Sequence, residues 1–113
     1  MENHQKTILI VEDSVVQALS LMRLLEDQNL NVLWALDGRI GVEMAHQHEP
    51  DLIVLDIEMP EMDGFEACKR LRESAITGEI PIIMLTVRAE PEAVYRGLDL
   101  GAVDFIPKDV FSE

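Results

Sequence analysis

Leu52-Ile53-Val54-Leu55 is an unbroken apolar run that ends abruptly in an acid, Asp56. Ile57-Glu58-Met59-Pro60-Glu61-Met62 and an Asp63-Gly64 turn follow it. An apolar run this short, without polar alternation, suits a strand buried on both faces, as in a parallel sheet. Asp56 then sits at the carboxyl end of a central strand, the edge at which open α/β sheets bind ligands. Parallel pairing also demands a crossover of a dozen or more residues between strands, usually a helix.

The rest of the chain supplies those crossovers. Ile8-Leu9-Ile10-Val11 is the first strand, and it ends in Glu12-Asp13. Ser14 is the expected N-cap of a helix. In that helix Val15, Ala18, Leu19, Met22 and Leu25 follow helical spacing, with an end near Asp27-Gln28-Asn29. Val16, Leu21 and Leu24 widen its apolar stripe, as packing or as a docking surface. Val32-Leu33-Trp34-Ala35 is the second strand, closed by Asp37-Gly38. Ile40, Val42, Met44 and Ala45 mark the second helix, and Glu49-Pro50-Asp51 breaks it. Phe65, Ala67, Cys68 and Leu71 lie along a third helix, with Lys69, Arg70 and Arg72 placed to complement its dipole. Pro81-Ile82-Ile83-Met84-Leu85 is the fourth strand and ends in Thr86. A fourth helix starts at Glu90-Pro91-Glu92 and stops at Gly101. Val103-Asp104-Phe105-Ile106 is the fifth strand, followed by Pro107-Lys108.

This alternation predicts one α/β domain over residues 1–113, a doubly wound five-stranded parallel sheet with right-handed crossovers. Both faces of such a sheet need helices, yet residues 109–113 amount to about one helical turn. The final helix is therefore expected to be absent or truncated, or that side to be covered by a partner.

Charge and composition narrow the function. Nine Lys+Arg face 22 Asp+Glu, a formal charge of −13, which argues against nucleic acid or an anionic membrane as a direct partner. The single cysteine, Cys68, permits no internal disulfide and reads as a small core hydrophobe. No apolar run approaches the ~20 residues of a membrane span. The opening residues have no signal-peptide character, so a cytoplasmic location is expected. His46 and His48 are two apart and share no helix face, so metal-ligand spacing is absent and they are given no function. His4 is likewise given none.

Four strands end in chemically useful groups: Glu12 and Asp13, Asp56, Thr86, and Lys108. In a parallel sheet these ends lie on one edge and can converge. Clustered carboxylates repel, which raises a pKa unless a cation relieves them. Mg²⁺, held by one or two carboxylates with waters and phosphate oxygens, fits the set better than an all-protein Ca²⁺ cage. A carboxylate beside Mg²⁺, a hydroxyl and an ammonium is equipment for phosphoryl transfer, with Asp56 as covalent acceptor.

Ile10-Val11-Glu12-Asp13-Ser14, the run from Leu55 to Gly64, Leu85-Thr86, Gly101-Ala102 and Phe105-Ile106-Pro107-Lys108 resemble, in order and spacing, the receiver domain of bacterial two-component response regulators. The resemblance covers essentially the whole chain. It implies a flavodoxin-like fold with strand order 2-1-3-4-5. It implies that Asp56 takes a phosphoryl group from the phosphohistidine of a sensor histidine kinase or histidine phosphotransfer protein. Glu12, Asp13, Asp56 and the Glu58 backbone carbonyl would hold Mg²⁺, and Thr86 and Lys108 would contact the acyl phosphate. Thr86 and Phe105 would form the switch, read by a downstream output domain or protein at the fourth helix and fifth strand, with Tyr95 a candidate contact. Homodimerisation is left open. Such a chain is a signalling domain that catalyses its own phosphorylation and dephosphorylation, not an enzyme acting on other substrates.

The sequence departs from the family pattern at two places. Asp109 follows Lys108 where proline is usual, and Val87 stands where a very small residue is usual, so Val87 is expected to restrict access to the acyl phosphate. Glu58 and Arg88 flank the pocket and are expected to pair over it and tune phosphoryl lifetime, although exposed pairs are worth only ~0–1 kcal/mol.

Three rivals are weighed against this reading. A haloacid-dehalogenase-type enzyme needs a second Asp two residues after the nucleophile, where this chain has Glu58. A flavodoxin-like FMN carrier needs a phosphate-binding loop where Glu12-Asp13 stand. A pseudo-receiver, an interaction module without phosphorylation, is opposed by the joint presence of the acids, Thr86 and Lys108.

Overall fold

The computed structural model describes residues 5–86 and 91–108. Within them strands and helices alternate: β1 (Thr7–Val11), α1 (Val15–Glu26), β2 (Asn31–Ala35), α2 (Gly38–His48), β3 (Leu52–Asp56), α3 (Gly64–Glu73), β4 (Ile82–Thr86), α4 (Pro91–Asp99) and β5 (Asp104–Pro107). All four strand pairings are parallel, in the order β2-β1-β3-β4-β5. This is the expected doubly wound sheet. Val87, Arg88, Asp109, the remainder of 109–113 and His4 lie outside the described residues.

Local chemistry sets where the helices begin. Ser14, Asp37 and Asp63 each hold extended backbone, and each side chain accepts the N–H three residues on, from Gln17, Ile40 and Glu66. Caps of this kind are worth about 1 kcal/mol each. They also turn the chain sharply just beyond the carboxyl edge of the sheet.

Side chains alternate across the pleat and so divide the core into two layers. Leu9, Val11, Ile53, Leu55, Ile82 and Met84 pack with Ala45 of α2 and with Phe65, Cys68 and Leu71 of α3. Ile8, Ile10, Val54 and Leu85 face the other way, against Leu21 of α1, with Met22 and Leu25 partly buried beside it. Central β3 is thus buried on both faces, as its apolar run requires. Edge strand β2 is not, because Val32, Leu33 and Trp34 are only half-buried.

Three expectations need correction. In α1 the phase is set by Ala18 and Leu21, so Leu21 is core rather than surplus, while Val15 and Leu19 are 52% and 44% exposed. Val16 and Leu24 are exposed as well, so the wide stripe is surface, not packing. The limits of all five strands differ by one residue from the apolar runs, because ladder hydrogen bonds rather than side-chain polarity decide where a strand ends. Arg72 does not simply complement a dipole. Its guanidinium donates to the Gly101 carbonyl at 3.2 and 2.8 Å, to Gly78 at 3.1 Å and to Ile80 at 2.7 Å, joining the α3–β4 and α4–β5 connections. His46 also has a structural place, with Nδ1 2.9 Å from the Val42 carbonyl and Nε2 2.8 Å from the Ser74 hydroxyl. It pins α2 to the end of α3.

Candidate functional site

Strand register brings the predicted residues to one edge. Val11 pairs with Leu55, so Glu12 follows beside Asp56. Asp56 pairs with Leu85, one residue before Thr86. Thr86 pairs with Pro107, one residue before Lys108. Glu12, Asp56 and Thr86 are buried, whereas Asp13 is exposed at the mouth. Carboxylate oxygens of Glu12, Asp13 and Asp56 lie within 4.8 Å of one another. The Lys108 ammonium sits 3.0 Å from Asp56 Oδ1 and 3.1 Å from Glu12 Oε1.

One ammonium facing three carboxylates leaves the edge short of positive charge. Burial pushes the Asp56 carboxyl up to about 7, and the Glu12 charge adds to this, against the opposing hydrogen bond and charge of Lys108. Burial also disfavours the Lys108 ammonium, but its bonds to Asp56 and Glu12 prevail and hold its pKa above the ordinary lysine value. Asp56 Oδ2 and Glu12 Oε1 are buried without a hydrogen bond among the described residues; Lys108 approaches the latter only as a charge. Leaving a buried acceptor unsatisfied costs on the order of 1–3 kcal/mol. Carboxylates crowded together and short of positive charge fit a hard divalent cation such as Mg²⁺.

The loop after β3 is bent back over Asp56. The Glu58 N–H donates to Asp56 Oδ1 at 3.2 Å, and the exposed Glu58 side chain stands at the rim. Glu61 takes left-handed backbone (φ 66°), and the Gly64 N–H donates to the Ile57 carbonyl at 2.8 Å. Gly64 itself leaves no room for a side chain: a Cβ there would stand 2.7 Å from Ile57 Cα and closer still to the Asp56 carbonyl.

Phe105 pairs with Met84, and its ring packs directly on Gly97 of α4. A Cβ at Gly97 would meet ring atoms at 2.8 Å or less, too close for both to stay. Arg96 stacks on Phe65 at 4.2 Å and ties α4 to α3, a contact of roughly 0.5–2 kcal/mol. Gly97→Ala is therefore expected to turn the Phe105 ring off α4, since a ring can rotate where backbone cannot. Nuclear Overhauser contacts between the Phe105 ring and residue 97 check this, and their survival in the variant would refute it.

Sequence reasoning missed one neighbour of the site. Trp34 reads there as a strand hydrophobe, yet its indole Nε1 donates to the Glu12 carbonyl at 2.8 Å. A cleft of about 500 Å³ between α3 and α4, lined by Glu61, Phe65, Lys69 and Arg96 among others, lies away from the strand ends. Among the described residues no unpartnered buried polar group lines it.

The sequence matches the family model of the response regulator receiver domain over residues 8–113. The chain belongs to that family. The receiver is 38% identical over 106 residues to Protein PilH of Pseudomonas aeruginosa, covering 94% of this chain and 88% of PilH. Its fold is similar to chemotaxis protein CheY4 of Vibrio cholerae, with a TM-score of 0.89 at 32% identity, covering 93% of this chain and 88% of that one. Histidine kinase P4 of Formosa agariphila is 38% identical over 107 residues, which is 95% of the receiver but 8% of the kinase. The transcriptional regulatory protein AfsQ1 of Streptomyces coelicolor is matched over 45% of its length. The receiver thus spans less than half of several curated relatives. Receiver domains are the phosphoryl-accepting signalling modules of two-component systems and bind Mg²⁺; among the described residues Glu12, Asp13 and Asp56 are grouped closely enough to hold it.

Proposed function

We propose that Asp56 of this receiver accepts a phosphoryl group from the phosphohistidine of a sensor histidine kinase or histidine phosphotransfer protein, with Mg²⁺ held by Glu12, Asp13 and Asp56 and by the Glu58 carbonyl. The observation that carries this reading is the buried Asp56 carboxylate itself. One oxygen, Oδ1, is occupied by Lys108 at 3.0 Å and by the Glu58 N–H, while Oδ2 has no hydrogen-bond partner among the described residues. Oδ2 attacks phosphorus, the P–N bond breaks, and the departing imidazole keeps the electron pair and takes up a proton. Lys108 stays on Oδ1 and offsets the negative charge that gathers as the acyl phosphate forms. Bound Mg²⁺ supplies further positive charge for the phosphoryl oxygens.

The Thr86 hydroxyl, at the end of β4 one step beyond the partner of Asp56, then donates to a phosphoryl oxygen. Phe105 follows through the β4–β5 pairing, and the α4–β5 face, where Tyr95 is 73% exposed, reports the change to an output domain or protein. Water attack later restores Asp56, again by groups the receiver supplies. Among the described residues no helix is long and apolar enough to cross a membrane, and a phosphodonor of this kind places the receiver in the cytoplasm.

Incubation with acetyl phosphate or phosphoramidate and Mg²⁺ tests the reading. A hydroxylamine-labile phosphoryl adduct is expected on the wild type, and none on Asp56→Asn or in excess chelator. Failure of the wild type to form any adduct would favour a receiver fold used as a non-phosphorylated interaction module.

A further inference from the structure

We infer that Trp34 is a positioning residue for the cation site: its indole N–H holds the Glu12 main chain so that the Glu12 carboxylate stays facing Asp13 and Asp56. This rests on the Mg²⁺ reading above and adds to it a residue outside the acid cluster.

The need for such a device follows from where Glu12 lies. It is the first residue past the end of β1, and the chain turns after it into α1, whose N-cap is Ser14. Strand pairing ends at Val11, and beyond it only the Glu12 N–H still bonds β2 in the manner of the ladder, so the rest of residue 12 is not fixed by continuation of the strand. Its carboxylate is fully buried, with carboxylate oxygens of Asp13 and Asp56 within 4.8 Å. Two like charges pressed together push residue 12 away from the sheet edge. Lys108 bridges the Glu12 and Asp56 carboxylates at 3.1 and 3.0 Å, but it acts on the side chain alone, and the main chain of residue 12 needs its own hold.

Strand β2 supplies it on both sides of one residue. The Glu12 N–H donates to the Ala35 carbonyl at 3.0 Å, and the Glu12 carbonyl accepts from Trp34 Nε1 at 2.8 Å. The carboxylate is then aimed by a third contact, the Ser14 N–H to Oε2 at 2.9 Å. A backbone carbonyl beyond the ladder would otherwise take water, whose hold on position is loose. Trp34 is held in turn by packing its ring in the layer of Ile10 and Leu21 beneath α1.

Tryptophan suits this place for chemical reasons. Indole is a donor only, so it cannot compete with the carboxylates as a ligand. It is neutral, so it neither repels a cation nor neutralises an acid. Its rigid ring converts packing under α1 into a fixed direction for the N–H. Buried indoles usually find some partner, so the experiment must separate positioning from ordinary packing.

The chain has a single tryptophan, which gives one indole N–H resonance in a ¹H–¹⁵N spectrum. Mg²⁺ alone is titrated at constant ionic strength, with binding followed in parallel by calorimetry. The expected result is an indole shift that tracks calorimetric binding and is absent in Asp13→Asn. Trp34→Phe keeps a ring but loses the donor, and a loss of about 10-fold in Mg²⁺ affinity is expected, as for other outer partners of metal ligands. Folded Trp34→Phe with wild-type affinity, or a silent indole resonance while calorimetry records binding, would overturn the inference and leave the phosphoryl reading standing. If Trp34→Phe fails to fold, the wild-type resonance decides alone. A blank calorimetric titration of the wild type would instead remove the cation site itself, and the inference with it.

Discussion

Gly64→Ala is expected to destabilise the receiver by about 3 kcal/mol, at or beyond the upper part of the range for forced overpacking. The new Cβ would meet the Asp56 carbonyl and Ile57 Cα, both backbone atoms in the segment that leaves β3. Neither can rotate aside, unlike the Phe105 ring opposite Gly97. Alanine would recover at most ~1 kcal/mol of helix propensity, and less at the first residue of α3, so the clash prevails. For a domain of this size the loss corresponds to a fall in Tm of roughly 10–20 °C. The same displacement moves the loop whose Glu58 N–H bonds Asp56 Oδ1, so adduct formation is expected to slow as well. Thermal and urea unfolding check the first part, and an unchanged midpoint would contradict it.

The second large effect runs in the opposite direction. In chelator, Asp56→Asn is expected to be more stable than the wild type at pH 8, by on the order of 5–10 °C in Tm, and to lose the wild type's pH dependence. Asp56 titrates near 3.8 when unfolded and at about 7 when folded. Between those values the folded chain binds more protons than the unfolded one, so stability falls as pH rises through the window and levels off above it. Lys108 does not blunt this trend. Its folded pKa is raised, so its contribution is complete below its ordinary value of 10.5 and is lost only at alkaline pH. Asparagine keeps the shape of the side chain without the charge, and Lys108 retains Glu12 at 3.1 Å. Added Mg²⁺ is expected to stabilise the wild type and narrow the gap. Melting curves at pH 5 and pH 8 give the answer, and parallel pH profiles for the two proteins would rule the idea out.

The sheet and the set of strand-end residues were legible because both follow from rules of period and direction. A run such as Leu52 to Leu55 has one economical solution, a doubly buried parallel strand, and parallel strands deliver their ends to one edge. That is why the sequence alone groups Glu12, Asp13, Asp56, Thr86 and Lys108. The phase of α1 was not legible. Val15, Val16, Leu19, Leu21 and Leu24 are apolar on several sides of one helix, and periodicity cannot say which side the sheet covers. Arg72 and Trp34 escaped for another reason: their partners are backbone carbonyls, which every residue carries, so no side-chain pattern announces them. Gly97 owes its place to a ring on β5 that only the three-dimensional arrangement sets against it.

The Arg72 clamp has a consequence for behaviour in salt. Exposed pairs such as Arg39–Glu43 and Arg70–Glu66 weaken as ions screen them. Arg72 instead binds three carbonyl groups, dipoles with no net charge for a counterion to replace, at short range and partly out of solvent. As ionic strength rises, the surface loosens before the join between the α3–β4 and α4–β5 connections does. The receiver therefore carries a salt-tolerant brace directly beside the face proposed to carry its signal.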